Sequence, residues 1–208
     1  MEIKEFTASL LSIDQLSSRK LILDHLDQKD PFEIIEHTIV PALEIIGAGW
    51  EKGEIALSQV YMSGRIVEEI VDEILPPSDP KRKNQPKMAI AVLDDYHLLG
   101  KRIIYSMLRA SGYSLQDFGR VTVDELATKI VNSSIKIVLI STLMLPSALQ
   151  VKKLKSKLAE LDYEVKIIVG GAPFRFDDLL AEEVGADGTA VNAEATLKLI
   201  NDLMEVQT

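Results

Sequence analysis

Apolar positions along the chain follow two different rhythms. Up to about Leu75 they recur at helical spacing: Ile3, Phe6, Leu10 and Leu11, then Leu21, Ile22, His25 and Leu26. Asp30-Pro31 reads as a helix start, with Asp as the N-cap and Pro at the first helical position, where its missing N–H costs nothing. Pro41 is expected to kink or restart that helix, and Gly47, Gly49 and Gly53 to punctuate a turn around Trp50. A last helix is expected from about Ser58 to Ile74, with Ile66, Val67, Ile70, Val71 and Ile74 on one face. Short amphipathic helices in succession predict a small bundle over residues 1–75.

Residues 76–87 break this rhythm. Pro76-Pro77-Ser78-Asp79-Pro80 and Lys81-Arg82-Lys83-Asn84-Gln85-Pro86 are polar and proline-rich, the composition of a fairly stiff linker. Beyond it, over residues 88–208, apolar runs alternate with helical stretches. Strands are expected at Met88–Leu93, Leu115–Phe118, Ile135–Ile140, Val165–Val169 and, weakly, Gly188–Val191. Helices are expected at Gly100–Ala110, Val123–Val131, Pro146–Leu161, Asp177–Val184 and Ala193–Val206. Strict alternation implies right-handed crossovers and a parallel sheet covered on both faces. The fold class is therefore α/β: an N-terminal helical bundle, then a flavodoxin- or Rossmann-like five-stranded sheet with order 2-1-3-4-5. In that order ligands bind beyond the carboxyl ends of strands one, three and four.

Composition narrows the function. With 47% hydrophobic and 26% charged residues, the 208-residue chain can bury a core and stay soluble. A net charge of −9 argues against nucleic acid and anionic membranes as partners. The absence of cysteine excludes disulfides, Cys-ligated zinc and Cys-ligated iron–sulfur clusters. Met1 to Phe6 carries acidic residues instead of a basic flank before an apolar stretch, so a cytoplasmic location is expected.

Strand one ends in Asp94-Asp95-Tyr96-His97-Leu98-Leu99-Gly100-Lys101, strand three in Ser141-Thr142-Leu143 with Ser147 beyond, and strand four in Gly170-Gly171-Ala172-Pro173. Each has an ordinary explanation: a solvated loop histidine, a helix-capping serine, an aspartate holding a turn, a diglycine at a sharp strand exit. Their convergence on one binding edge is what gives them weight. His25 and His37 lie on predicted helices without acidic or hydroxyl partners at ligand spacing and are read as structural. The basic run Lys152-Lys153-Leu154-Lys155-Ser156-Lys157 is read as a solvated helix face.

The set Asp95-x-His97-x-x-Gly100, Ser141-x-Leu143 and Gly170-Gly171 resembles the signature of cobalamin-binding domains of the methionine synthase and corrinoid methyltransferase type. Val40-Pro41-Ala42-Leu43-Glu44 and Gly47 through Trp50-Glu51-Lys52-Gly53-Glu54-Ile55 are similar to the helical cap domain that precedes it, so the resemblance covers nearly the whole chain. It implies a cobalamin cofactor whose own benzimidazole leaves the metal and is replaced by His97 as lower cobalt ligand. Asp95 would accept the other ring N–H, and Ser147 matches a hydroxyl that extends this relay in relatives. The displaced nucleotide would enter a slot kept open by Gly100, Gly170 and Gly171 and lined by Ser141 and Leu143, with Tyr96, Leu98 and Ala172 completing the cofactor-binding set. Val60, Tyr61 and Met62 are the bundle residues expected nearest the reactive upper face.

By the same resemblance the chain is a methyl-carrier subunit. It would shuttle a methyl group between a substrate:corrinoid methyltransferase and a methyl-acceptor methyltransferase, with a reductive activase as a further partner. Relatives often have Gly where Leu93 or Asp94 stands here, an acid at Leu98, and an aromatic residue at Thr189; Val191-Asn192 is also unusual. A sensor or storage module would carry the same motif without methyl transfer. A signalling receiver domain shares the paired acids Asp94-Asp95, but it needs an Asp where Ser141 stands and a Lys near Val191-Asn192.

Overall fold

The computed structural model describes residues 3–26, 29–75 and 85–205, which fall into two compact units, Met1–Pro76 and Pro77–Thr208. Most of the expected linker, residues 76–84, lies outside the described residues. Among the described residues no helix is long and apolar enough to cross a membrane.

The first unit is helical: α1 (Ile3–Leu11), α2 (Gln15–Leu26), α3 (Pro31–Ile34), a π-helical turn (Ile35–Ile39), α4 (Val40–Glu51) and α5 (Leu57–Ile74). Asp30 caps α3 as expected, its carboxylate accepting the Phe32 N–H at 2.8 Å with Pro31 in the first turn. Pro41 does not break the helix. It has no N–H for the carbonyl one turn back, and the wider π turn before it absorbs the ring. The expected turn around Trp50 is shorter than its glycines implied, because Gly47 and Gly49 lie inside α4 and only Gly53 (φ +76°) turns the chain. A Cβ on Gly49 would stand 2.5 Å from Ile55 Cδ1, so this glycine lets the returning chain pack against the helix. Gln59 ties the start of α5 down, accepting from the Ala56 N–H and donating to the Leu11 carbonyl. The buried face of α5 (Ile66, Val67, Ile70, Val71, Ile74) is the one its spacing predicts.

The second unit runs β1 (Met88–Leu93), α6 (Leu99–Ala110), β2 (Leu115–Val121), α7 (Val123–Ser133), β3 (Ile137–Ser141), α8 (Leu145–Glu160), β4 (Lys166–Gly170), α9 (Ala172–Phe176), α10 (Leu180–Glu183), β5 (Gly188–Thr189) and α11 (Ala193–Glu205). The sheet is parallel throughout with order β2-β1-β3-β4-β5. All six residues of β1 are buried, since helices cover both faces. Ala89, Ala91, Val138, Ile140, Ile167 and Val169 face one core with α7 and α8, and Met88, Ile90, Ile137, Leu139 and Ile168 face the other with α6 and α11.

Two elements differ from expectation. β2 extends past Phe118 to Val121 through a bulge: Ile90 pairs with Asp117 and Ala91 with Gly119, leaving Phe118 as the extra residue. The helix expected at Asp177–Val184 is reduced to α10, and a further short helix, α9, precedes it. Pro173 is pre-set for a first helical turn, so α9 starts directly after Gly171, and the Asp177 carboxylate then accepts the Leu179 N–H at 3.0 Å to turn the chain into α10. In the basic run of α8, Lys155 pairs with Asp187 and Lys157 with Asp124, while Lys152 and Lys153 are exposed.

Candidate functional site

The exit of β1 is a sharp reversal. Asp94 takes a left-handed conformation (φ +46°), and its N–H donates to the Val121 carbonyl at 2.9 Å. That reversal turns the next side chain, Asp95, back under the loop, where the residue is only 2% exposed. Five donors surround its carboxylate. Oδ1 accepts from the Tyr96 N–H at 2.7 Å, the His97 N–H at 3.1 Å and His97 Nδ1 at 2.6 Å. Oδ2 accepts from the amides of Leu143 at 2.8 Å and Met144 at 3.1 Å, so one carboxylate staples the end of β3 to the end of β1.

Burial alone would raise this carboxyl. The hydrogen bonds from the His97 ring and the amides of Leu143, Met144 and His97 more than offset it, and hold the pKa at about 2 against the usual 3.8. An ionised carboxylate can only accept, so His97 Nδ1 must carry the proton. In the neutral ring Nε2 then keeps its lone pair, on an imidazole that is 49% exposed. A carboxylate behind an imidazole fixes its tautomer and raises its basicity as a metal ligand. One imidazole cannot hold a free metal ion, so a metal bound there has to bring ligands of its own.

The other expected residues gather on the same rim in distinct ways. Ser141 Oγ lies 3.1 Å from where a Cβ on Gly100 would stand, which brings the start of α6 close to the end of β3. Gly170 faces the Ala190 carbonyl at 3.0 Å on the same terms. Gly171 (φ +116°) is packed hardest: its Cβ would fall 1.8 Å from the Thr142 carbonyl oxygen, so here a glycine is required by backbone contact. Leu98 caps α6 and Ala172 opens α9. Tyr96 (72% exposed) and Leu143 (45%) present apolar surface at the rim.

Ser147 departs from expectation. Its hydroxyl donates to the Asp94 carbonyl at 2.8 Å instead of extending the relay, because the amides of Leu143 and Met144 occupy the free side of the Asp95 carboxylate.

Sequence reasoning missed three rim residues. Met144 contributes an amide to Asp95 and an exposed side chain. Thr142 is buried, and its Oγ1 has no hydrogen-bond partner, a group whose desolvation is uncompensated unless something further binds. Arg120, on the part of β2 beyond the bulge, lies with its guanidinium carbon 3.4 Å from the centre of the Tyr96 ring. The signal for Arg120 was its place at the carboxyl end of the strand next to β1, hidden by ending β2 at Phe118.

Asp94 supplies a local prediction. At a left-handed position Ala pays the Cβ clash and Gly does not, so Asp94→Gly is expected to be more stable than Asp94→Ala by about 1 kcal/mol in urea unfolding. Equal stabilities would show that the reversal does not constrain this residue.

A free imidazole nitrogen backed by a buried carboxylate, an orphaned buried hydroxyl and an apolar rim together fit a cobalt corrinoid, which brings its own equatorial ligands and a broad apolar surface. Comparison with known proteins agrees. The family description "B12 binding domain" matches residues 87–200, and a second family of the same description matches residues 2–75. The chain is 34% identical over 215 residues to monomethylamine corrinoid protein 1 of Methanosarcina mazei, covering 97% of this chain and 96% of that one. It is 31% identical over 166 residues to the trimethylamine corrinoid protein of Methanosarcina barkeri, covering 76% and 75%. The solved structure of the Methanosarcina barkeri monomethylamine corrinoid protein superposes with a TM-score of 0.82 at 29% identity, covering 94% of this chain and 95% of that one. The chain belongs to the B12-binding-domain family of corrinoid proteins, and its cofactor is cobalamin.

Proposed function

We propose that this chain binds cobalamin so that a methyl group can be carried on its cobalt between two methyltransferases, and that His97 Nε2 would be the protein's ligand to that cobalt. The observation that carries the reading is the Asp95–His97 pair, 2.6 Å apart, which leaves one ring nitrogen basic and accessible. The cofactor supplies the methyl-accepting and methyl-donating metal. The chain's residues supply ligation and control of a proton. Asp95 keeps Nδ1 protonated and the ring oriented while Nε2 binds. With Nε2 not engaged by a metal, the ring would be able to take up a proton there and become a cation beside a carboxylate, a state the pair would stabilise. Ser141, Gly170 and Gly171 stand at the strand ends, and Gly100 at the start of α6, where the cofactor's displaced nucleotide would enter; Thr142 Oγ1 is the buried, unpartnered hydroxyl beside Ser141.

Relatives are named for monomethylamine and trimethylamine, so a methylated amine is the first donor to test. The partners on this reading are a methyltransferase that loads the methyl group, another that removes it, and a reductive activase.

The test is the visible spectrum after anaerobic incubation with hydroxocobalamin, for the wild type and for His97→Ala. The wild type is expected to retain the corrinoid with the spectrum of a histidine-ligated, base-displaced cofactor. The variant is expected to lose that signature and bind at least on the order of 10- to 100-fold more weakly, the range seen when only the partner behind a metal ligand is lost. A spectrum indifferent to His97 would reject the ligand assignment. A wild type that retains no corrinoid would reject the carrier function.

A further inference from the structure

We propose that Arg120 is a cofactor-contacting residue, aimed at the amide-bearing edge of the corrin ring by stacking on Tyr96 and held there by the Asp117–Lys101 pair. The inference rests on the corrinoid reading and extends it to residues outside the strand-end motifs.

Arg120 is the penultimate residue of β2, paired with Val92 beside the exit of β1. Its guanidinium carbon lies over the Tyr96 ring, 3.4 Å from the centroid. Tyr96 is the residue between Asp95 and His97, and its own amide is fixed by Asp95. The stack therefore holds the guanidinium next to the candidate metal ligand. Stacking uses the faces of the two groups, so the N–H donors around the edge of the guanidinium remain available. The nearby Glu125 carboxylate takes the Thr122 N–H at 2.9 Å and hydroxyl at 3.0 Å on Oε2, and it also feels the charge of Arg120.

What aims Arg120 is the bulge at Phe118. Gly119 takes φ +68°, and its N–H donates to Asp117 Oδ1 at 2.8 Å. Asp117 Oδ2 pairs with Lys101 Nζ, from a lysine that is only 5% exposed. A buried ammonium is costly unless paired, so this contact is strongly held. Lys101 belongs to the first turn of α6, which begins two residues after His97. The pair thus ties the histidine segment and the bulge to one another, and Arg120 closes the circuit through Tyr96.

The ligand chemistry follows from the donors. The corrin periphery carries uncharged acetamide and propionamide groups whose carbonyls accept hydrogen bonds. A planar cation with several fixed N–H groups is suited to them.

The experiment measures Kd by visible titration of the full chain with hydroxocobalamin and with cobinamide, which keeps the ring amides and lacks the nucleotide. Arg120→Ala is expected to weaken both by about tenfold, the scale of a lost charged hydrogen bond. The Tm of the cofactor-free protein and the His97-dependent spectrum are expected to stay unchanged, and Arg120→Lys to recover only part of the affinity. Asp117→Asn is expected to weaken binding in the wild-type background and to add little to Arg120→Ala, the non-additivity of residues acting through one another. Binding by Arg120→Ala within about twofold of wild type, as for an ordinary surface substitution, overturns the proposal. So does a loss seen with cobalamin but not cobinamide, which would place Arg120 on the nucleotide phosphate, or a loss matched by a lower Tm without cofactor. Full additivity overturns the positioning role of Asp117. Failure of the wild type to bind either corrinoid overturns the carrier reading along with this one, whereas normal wild-type binding with an indifferent Arg120→Ala overturns this inference alone.

Discussion

Gly171→Ala is expected to destabilise the α/β unit by about 4 kcal/mol, near the limit of what a domain of this size survives. Two costs combine. The backbone at φ +116° and ψ −179° lies in a region that is essentially glycine-only, and a residue with a Cβ loses about 1–3 kcal/mol there. The added Cβ would also fall 1.8 Å from the Thr142 carbonyl oxygen, a backbone atom that cannot swing aside. Relief would require the turn after β4 to lift off the end of β3, breaking the Thr142 N–H to Gly170 carbonyl bond of 3.1 Å. Gly170→Ala is the control. Its Cβ would meet the Ala190 carbonyl at 3.0 Å without a left-handed backbone, and about 1–2 kcal/mol is expected. Urea unfolding of the two variants measures both values. Similar losses for both would mean that the Gly171 backbone relaxes freely.

Asp95→Asn is expected to cost about 3 kcal/mol at neutral pH, because an amide NH2 would be set against backbone and ring donors that now share one carboxylate. Its pH dependence carries the sharper signature. The folded pKa of about 2 lies below the ordinary 3.8, so the group binds protons more readily unfolded than folded. Its contribution is then fully present above about pH 5, and roughly 2 kcal/mol of it is lost as pH falls from about 5 to 2. Unfolding free energies of wild type and Asp95→Asn, measured across that window, should converge by this amount on acidification. A constant difference would mean that the carboxylate is not held ionised by these bonds.

The parts of the molecule readable from residue order are those governed by local rules. β1 and α5 matched closely, because a run such as MAIAVL has no polar face to offer and the spacing of Ile66, Val67, Ile70, Val71 and Ile74 admits one buried stripe. The capped start at Asp30-Pro31 matched for the same reason, since a cap is a contact between neighbours in sequence. Gly49 misled, because a glycine is required by close packing as readily as by a turn, and only the approach of Ile55 distinguishes the two; at Gly47, inside α4, a Cβ would meet nothing within 4 Å. The helix after β4 was misplaced because Pro173 can open a helix as well as follow a strand exit.

At the site, the histidine and its carboxylate partner were legible, being two residues apart on one loop. Contacts across the sheet were not. The amides of Leu143 and Met144 reach Asp95 from 48 and 49 residues away, and only their arrival settles that Ser147 bonds to the Asp94 carbonyl and that Asp95 stays ionised. The Phe118 bulge likewise sets which way Arg120 points, and it follows from the pairing of β2 with β1 and from the hold of Lys101 on Asp117. Residue order therefore decided the alternation of strands and helices and the pairing of His97 with Asp95, since each follows from neighbours on the chain. Tertiary packing decided the ionisation of Asp95, the need for glycine at 171 and the placement of Arg120, since each depends on atoms brought together only by the assembled sheet.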